Sequence, residues 1–250
     1  MILNLIKNFL LNIVFPKRCL ECGAGGDFVC LDCLSKINFL QSQSCPSCKY
    51  PNPTGIFCNQ DCRNNLDFDQ LIVCCEYNEF SLIRKLIMAF KYRFIKDLGG
   101  ILAEVLKTQL IYISQINYLV SQSVFVPVPI HKKRLFDRGF NQAQVLTEKL
   151  INSLKNDFDF SGKFENIFIA DCLVRHKYSE KQSTLSRNER FSNLAGSIKF
   201  DQMFADKIKG QICILIDDVA TTCTTINECC KILKQNGAKY VYALVLASGI

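Results

Sequence analysis

The amino-acid sequence predicts an α/β protein in which helices flank a parallel sheet and a small metal-binding domain precedes them. Three observations support this prediction. Apolar runs of strand length alternate with helical patterns after residue 69, which is typical of a parallel sheet. Four cysteine pairs crowd into residues 19–62. The run QICILIDDVATTCTT at 211–225 joins a buried strand to two acids and a threonine-rich turn.

The composition indicates a folded protein with an anionic partner. The 250 residues can hold one medium domain and a small one, and an apolar fraction of 49% supports a packed core. The net charge of +7 favours a phosphate-bearing metabolite, a nucleic acid or a membrane surface, without choosing among them. Eight of the fifteen cysteines lie in closely spaced pairs, a pattern that differs from a secreted disulfide framework.

The first fifteen residues predict an amphipathic helix. They are largely apolar, and Asn4, Lys7, Asn8 and Asn12 fall on one face at helical spacing. The stretch is too short to span a bilayer, and no small-residue cleavage site follows it. We therefore expect no integral membrane segment and a cytoplasmic protein. Packing of this helix against its own protein is favoured, and contact with the inner face of the membrane is the alternative.

The cysteine spacing predicts two structural zinc sites. Pairs separated by two or three residues let thiolates share a tetrahedral ion, and eight thiolates suffice for two closed sites. Sequential pairing of the knuckles, as in a double zinc ribbon, is favoured, although a cross-braced arrangement would use the same residues. An iron–sulfur or redox role is the weaker alternative. The expected ligands are Cys19, Cys22, Cys30, Cys33, Cys45, Cys48, Cys58 and Cys62.

A polar stretch at 67–70 marks the expected domain boundary. We assign residues 1–68 to the leader helix and the zinc ribbon and residues 69–250 to the α/β domain, and we expect each domain to have its own stabilisation. Little apolar sequence lies in the ribbon, so bound metal must supply most of its folding energy. Beyond the boundary, strands are predicted at 71–77, 123–128, 168–174, 212–216 and 240–246, and helices at 80–91, 97–110, 140–154 and from the threonine turn to Asn236.

Two basic segments follow strand ends in the predicted sheet. The segment 131–141 is interpreted as a loop, because Pro127 and Pro129 cannot continue a strand ladder. The segment 175–193 is long and basic, which is typical of a lid, or hood, and equally of a mobile surface loop. Each segment is either a solvated basic surface or a site for pyrophosphate or DNA phosphate. The candidate residues are Lys132, Lys133, Arg134 and Arg138 in the first segment and Arg175, Lys177, Arg187 and Arg190 in the second.

The turn after the strand at 212–216 has the composition of an anion site. Asp217 and Asp218 are expected to end this strand, at the place where open parallel sheets bind ligands. The next helix presents N–H groups and a partial positive charge to a phosphate, while the acids can accept hydrogen bonds from sugar hydroxyls. No Walker lysine follows, which excludes an NTPase P-loop. A capped helix after an acidic strand end is the simpler alternative. The predicted phosphate and ribose site comprises Asp217, Asp218, Val219, Ala220, Thr221, Thr222, Cys223, Thr224 and Thr225.

The pattern Asp-Asp-Val-x-Thr-Thr-x-x-Thr after an apolar strand resembles the phosphoribosyl pyrophosphate loop of the type I phosphoribosyltransferases. One position departs from that family, which usually has Gly where this chain has Cys223. Glycine permits a positive φ, whereas a left-handed cysteine costs roughly 1 kcal/mol or more. Its side chain could also crowd the ligand.

The order of several motifs is similar to that of the ComF competence-protein family. The cysteine pairs match the amino-terminal double zinc ribbon of that family, so the resemblance covers nearly the whole chain. The other motifs are PVP at 127–129, RGFNQ at 138–142, Arg175 with Lys177 and Gln182, Glu189 with Arg190 and Asn193, and DDVATT at 217–222.

The resemblance implies a type I phosphoribosyltransferase-like fold and a link to natural transformation, in which such proteins help to bring single-stranded DNA into the cytoplasm. The first hypothesis is a DNA-handling protein with a phosphate-binding turn. The second is an active phosphoribosyltransferase that uses Mg²⁺ with phosphoribosyl pyrophosphate. A fold does not guarantee catalysis, and neither His131 nor His176 is an evident general base. The third is a zinc-ribbon scaffold that docks other competence proteins, such as a helicase.

Overall fold

The computed structural model describes residues 16–64, 66–93, 95–113, 122–157, 164, 166–177 and 196–249. The predicted leader helix at 1–15 lies outside the described residues. So does most of the predicted hood, including Arg187 and Arg190.

Strands and helices alternate along the described chain after a short, irregular amino-terminal region. The strands are β1 (Gln43–Ser44), β2 (Pro51–Asn52), β3 (Gln70–Glu76), β4 (Ser123–Pro127), β5 (Phe168–Ile169), β6 (Leu173–Arg175), β7 (Ile198–Phe200), β8 (Ile212–Ala220) and β9 (Tyr240–Ser248). The helices are α1 (Leu31–Leu34), α2 (Gln60–Arg63), α3 (Leu82–Tyr92), α4 (Leu98–Tyr112), α5 (Lys132–Arg138), α6 (Gln142–Lys155), α7 (Ala205–Ile208) and α8 (Thr224–Gln235), with a 3-10 turn at Gln202–Phe204 before α7.

The main sheet has five strands in the order β3-β9-β8-β4-β5. Every neighbouring pair in it is parallel. The expected parallel α/β sheet is therefore confirmed. β8 lies in the middle, and its apolar residues Cys213–Ile216 are buried because both faces of the sheet are covered.

Helices cover the two faces of the sheet with separate apolar layers. α3, α4 and α6 pack on one face, where Phe90, Leu106 and Leu146 are fully buried. α8 packs on the other face through Ile226 and Leu233. In the part of the chain that the structure describes, no helix combines the length and the apolar character that crossing a membrane requires.

The single strand expected at 168–174 is wrong, because this segment divides between two sheets. β5 pairs in parallel with β4 in the main sheet. β6 instead pairs with β7 in a small antiparallel sheet, in which Val174 faces Lys199. The partner strand comes from the far side of the predicted hood, so no local pattern in the sequence indicated the division.

The zinc-ribbon region runs along the outer edge of β3. The backbone N–H of Leu40 donates to the carbonyl oxygen of Cys74 at 2.8 Å. The buried Gln43 side chain donates to the Val73 carbonyl oxygen at 3.0 Å and accepts from the Val73 N–H at 2.8 Å. Because an open strand edge invites pairing with other chains, these hydrogen bonds protect the sheet as well as fix the ribbon.

The ribbon packs on both sides of this edge. Val29 and Ile37, from its first half, are buried in the layer that contains α3 and α4. Leu40 and Phe57, from its second half, pack against the layer that contains α8. The ribbon and the α/β domain thus share apolar contacts as well as hydrogen bonds.

Gly55 makes the tightest approach of the ribbon to the sheet, and Gly55→Ala should weaken it. Its carbonyl oxygen accepts from the Leu71 N–H at 3.1 Å, and a methyl group on Gly55 would overlap the Leu71 carbonyl oxygen. We expect the free energy of unfolding to fall by roughly 2–4 kcal/mol, from backbone strain plus the clash. Denaturant unfolding measures this loss.

Gly23→Ala is the matched control for this substitution. Gly23 has a φ of +78° against +79° for Gly55, but a methyl group there would meet no atom within 4 Å. Gly23→Ala should therefore lower the free energy of unfolding by only about 1 kcal/mol, through backbone strain alone. Equal losses for the two substitutions would contradict the proposed close contact.

Candidate functional site

The acid pair lies within β8 rather than after it. Asp217 pairs with Val245 of β9, and the ladder continues to Ala220 and Ser248. The expectation that the acids end the strand is therefore wrong, because β9 extends far enough to pair with Asp217, Val219 and Ala220. The pair still lies near the edge at which the parallel strands end, which we call the carboxyl edge.

Asp218 forms an ion pair with Lys91, a residue that no sequence motif marked. The Lys91 Nζ lies 2.6 Å from the Asp218 Oδ1, and both side chains are largely buried. Burial opposes the charged form of Lys91, but the charge of Asp218, its hydrogen bond and the charge of Asp217 together outweigh burial and raise the pKa of Lys91. Lys91 belongs to the last turn of α3, so this helix helps to build the site.

Asp217 has a different environment from its neighbour. Burial and the adjacent Asp218 carboxylate raise the pKa of Asp217 to about 7, although Lys91 acts in the opposite direction. The Asp218 backbone N–H donates to the Asp217 Oδ1 at 2.8 Å. Near neutral pH, Asp217 can therefore either donate a hydrogen bond or accept one, which suits a sugar hydroxyl.

The predicted basic loop at 131–141 contains the helix α5, so its assignment as a loop is wrong. The His131 Nδ1 accepts from the Lys133 N–H at 3.1 Å and caps the start of the helix. Gly139, with a φ of +71°, ends it by donating its N–H to the Leu135 carbonyl oxygen at 2.8 Å. A helix this short has too few turns to show a periodic pattern in sequence.

The four candidate cations of α5 differ in burial. Arg134 and Arg138 are half-buried and lie one turn apart, whereas Lys132 and Lys133 are exposed. The Arg138 Nη1 donates to the Gln142 Oε1 at 3.0 Å. The Arg138 guanidinium lies 5.4 Å from the centre of the Tyr92 ring, next to Lys91 in α3, and its charge opposes the rise in the pKa of Lys91.

Arg175 brings the base of the predicted hood into this cluster. Its side chain is buried at the end of β6. Burial lowers the pKa of Arg175, the charge of Arg134 adds to this effect, and the Asp217 carboxylate opposes it. Arg175 thus interacts electrostatically with Arg134 and Asp217, while Lys177 is exposed.

The threonine turn links β8 to α8 through a strained residue. Cys223 has a φ of +55° and is the N-cap residue of α8, without a side-chain capping hydrogen bond. Its side chain is buried in the apolar layer beneath α8, away from the exposed Thr221. The left-handed backbone of Cys223 is confirmed. Because its side chain is buried, it does not crowd a ligand in the way that the sequence suggested.

The first turn of α8 has the groups that an anion site needs. The Oγ1 atoms of Thr222 and Thr224 lie 2.8 Å apart. The first N–H groups of a helix lack acceptors within the helix and carry partial positive charge. These are the donor groups that a phosphate site at a helix N-terminus would use.

Eight cysteines form two compact clusters in the ribbon. Within each, the sulfur atoms lie within 4.8 Å of one another. The Cys22 and Cys30 sulfurs are 3.6 Å apart, as are those of Cys48 and Cys58. A tetrahedral zinc ion at about 2.3 Å from each sulfur would separate them by about 3.8 Å, so both clusters fit zinc. The clusters are Cys19, Cys22, Cys30 and Cys33, and Cys45, Cys48, Cys58 and Cys62.

These clusters resolve the pairing of the knuckles. Each joins two pairs that follow one another along the chain, so the sequential arrangement is confirmed and the cross-braced alternative is wrong. Burial raises the pKa of Cys19 and Cys45, but backbone N–H groups of the knuckles outweigh it and lower both values to about 6. Such donors favour the thiolate form that zinc requires.

Comparison with known proteins agrees with the motifs. Residues 10–63 match the family described as the double zinc ribbon domain. Competence protein F of Haemophilus influenzae is 24% identical over 235 residues, which cover 88% of this chain and 97% of that protein. Competence protein ComFC of Bacillus subtilis is 27% identical over 84% of this chain and 79% of its own. DNA utilization protein YhgH of Escherichia coli K12 is 23% identical over 79% of this chain and 80% of its own.

Each of these matches covers more than three quarters of this chain. The resemblance to the ComF competence-protein family is thereby confirmed, and the chain is similar over most of its length to competence proteins F and ComFC.

Proposed function

We propose that the protein handles incoming single-stranded DNA in the cytoplasm during natural transformation. The observation that carries this proposal is that Lys91 pairs with Asp218, and Arg175 interacts with Asp217, in the strand that leads directly into the threonine turn. The net charge of +7 and the names of the relatives support it.

In this proposal the threonine turn binds a phosphate, either of a phosphoribosyl ligand or of the DNA backbone. The N–H groups of the first turn of α8 and the hydroxyls of Thr222 and Thr224 supply donors. Asp217 addresses a sugar hydroxyl, and Lys91 keeps Asp218 neutralised so that the pair does not repel the phosphate. Arg134 and Arg138 supply long-range attraction.

An active phosphoribosyltransferase is the second candidate. The observation that favours it is the acid pair directly before a phosphate-binding turn, with arginines beside it. Because Lys91 already pairs with Asp218, only Asp217 of the acid pair is left to hold Mg²⁺ or the ribose hydroxyls. A bound Mg²⁺ ion would neutralise the charge of the departing pyrophosphate. His131, one of the two histidines, caps α5, so it has a structural role.

The zinc ribbon contributes in a different way to either candidate. Its first knuckles expose Leu31, and its second half exposes Tyr50, both as large apolar side chains. We propose that exposed side chains of the ribbon contribute to docking of another competence protein, such as a helicase.

The salt dependence of DNA binding tests the first candidate. Fluorescence anisotropy with a labelled oligothymidine should show affinity that falls steeply as salt rises. Changing Lys132, Lys133 and Arg134 to Gln together should reduce the slope of log affinity against log salt by about 2, at about 0.7 for each phosphate that these side chains neutralise. An unchanged slope would mean that the bound DNA does not pass α5.

The control removes equal charge at the other end of the sheet. Lys207, Lys209 and Lys239 are exposed and lie next to the amino ends of β8 and β9. Changing these three to Gln should leave the slope within about 0.5 of the original value. Equal reductions in the two variants would indicate a nonspecific effect of net charge.

A further inference from the structure

A cleft of about 460 Å³ separates the second half of the ribbon from the carboxyl edge of the sheet. Its walls come from the chain after β1, from the end of β3 and from the end of β9. The volume lies within the range of about 300–1,000 Å³ that is usual for small-molecule sites. Neither the acid pair nor the threonine turn lines it, so it is a separate feature of the molecule.

One wall of the cleft combines aliphatic side chains with an aromatic ring. Leu71 and Val73 are buried on the face of β3 that α8 covers, and Tyr77, just beyond the strand, also lines the cleft while packing against the layer of α3 and α4. The Tyr77 ring is half-buried, and the Arg84 guanidinium lies 5.9 Å from its centre. A methyl group on Gly249 would lie 3.7 Å from the Tyr77 ring, so the end of β9 packs beside it.

The rim of the cleft carries groups that can read the edge of a planar ring. Glu76 and Asn78 flank Tyr77 and are exposed, which offers a carboxylate acceptor and an amide that both donates and accepts. Lys49 adds an ammonium, whose Nζ also donates to the Pro46 carbonyl oxygen at 3.0 Å. A stacking wall with donors and acceptors at its rim matches the chemistry of a nucleobase.

Lys49 occupies its position at a conformational cost. It follows the second cysteine of its knuckle and has a φ of +65°. Gly23 takes the equivalent position after Cys22 in the first knuckle, with a φ of +78°. Glycine adopts this conformation without strain, whereas lysine does not. The second knuckle therefore retains an ammonium at the cleft where the first has no side chain.

The cleft lies within reach of the threonine turn. Ser248 of β9 pairs with Ala220 at the end of β8 on one side and with Glu76 at the end of β3 on the other. The Gly249 N–H donates to the Ala220 carbonyl oxygen at 2.9 Å. Two strand spacings, about 10 Å in all, separate the two sites. That distance is on the scale of a single nucleotide.

We infer that this cleft binds the nucleobase of a nucleotide whose phosphate is held by the threonine turn. The inference rests on the proposed phosphate site and adds a base subsite to it. The Tyr77 ring stacks on the base, and Glu76 and Asn78 contact its edge. Because stacking accepts every base, this subsite fits DNA of any sequence.

Two ligands separate the base from the phosphate in the test. Calorimetry compares deoxyadenosine 5′-monophosphate with 2-deoxyribose 5-phosphate, which lacks the base. The nucleotide should bind at least tenfold more tightly to the original protein. Tyr77→Ala should reduce the ratio of the two affinities to below about threefold without changing the affinity for the sugar phosphate. Tyr77→Phe, which keeps the ring, should preserve the tenfold ratio.

Lys49→Gly is a second variant, chosen because glycine is the residue of the equivalent position and should not unfold the ribbon. It should weaken nucleotide binding severalfold and leave the sugar phosphate unaffected. Equal binding of the two ligands, or a ratio that survives Tyr77→Ala and Lys49→Gly, would overturn the base subsite while leaving the phosphate site intact. Failure of both ligands to bind the original protein would instead overturn the phosphate site itself.

Discussion

Cys45→Ser should leave one zinc ion per chain where the original protein holds two, and should release the second half of the ribbon. Cys45 is fully buried and belongs to the second cluster. A structural zinc site contributes about 10–16 kcal/mol in isolated zinc fingers, so the loss of one ligand removes most of the stabilisation of its knuckles. Metal analysis of the purified protein counts the ions directly.

The effect should extend to the sheet. The second half of the ribbon supplies the Gln43 and Gly55 contacts to β3, so its release uncovers the edge of this strand together with Leu71 and Val73. An uncovered edge with apolar residues promotes association between chains. We expect Cys45→Ser to form oligomers or aggregates in sedimentation experiments, and the original protein to do the same after its zinc is chelated.

Cys213→Ser provides the control for metal content, since Cys213 is a fully buried cysteine of β8 that belongs to neither cluster. This variant should lose stability and retain two zinc ions. Two ions in Cys45→Ser would refute the assignment of the second cluster. One ion with no association would mean that the α/β domain does not depend on the ribbon to cover β3.

Thr222→Trp should weaken phosphoribosyl pyrophosphate binding at least a hundredfold, which corresponds to about 2.7 kcal/mol. Thr222 is half-buried, its hydroxyl lies 2.8 Å from that of Thr224, and a large ring there would fill the space before the first turn of α8. Calorimetry on the folded variant measures the loss. Thr108→Trp, at an exposed position on α4, should bind as the original protein does.

Two further substitutions distinguish the parts of the site. Asp217→Asn with Asp218→Asn should weaken phosphoribosyl pyrophosphate much more than inorganic phosphate, because the acids address the sugar. Cys223→Gly should change the affinity for phosphoribosyl pyrophosphate by less than threefold, since the Cys223 side chain is buried in the apolar layer beneath α8. A tenfold gain would mean that cysteine strains or crowds a working site. No binding by the original protein would refute the phosphoribosyl assignment and leave the fold unaffected.

The sequence by itself determined the local features of this protein. Cysteine spacing fixed the eight zinc ligands, because a knuckle brings its two thiolates together within a few residues of chain. Apolar runs located β3, β4, β8 and β9, because buried parallel strands need continuous apolar residues. The acids and threonines at 217–225 located the turn between β8 and α8, because the end of a strand and the start of a helix are both short-range signals.

Only the tertiary structure decided which distant residues meet. Lys91 reaches Asp218 because α3 packs on the face of the sheet beside β8 and β9. Gln43 and Gly55 contact β3 because the strand order leaves β3 at an edge. A sequence pattern reports the preferences of neighbouring residues, whereas these contacts depend on strand order and on which helix covers which face. The zinc ligands could therefore be predicted, while the partner of Asp218 and the cover of the sheet could not.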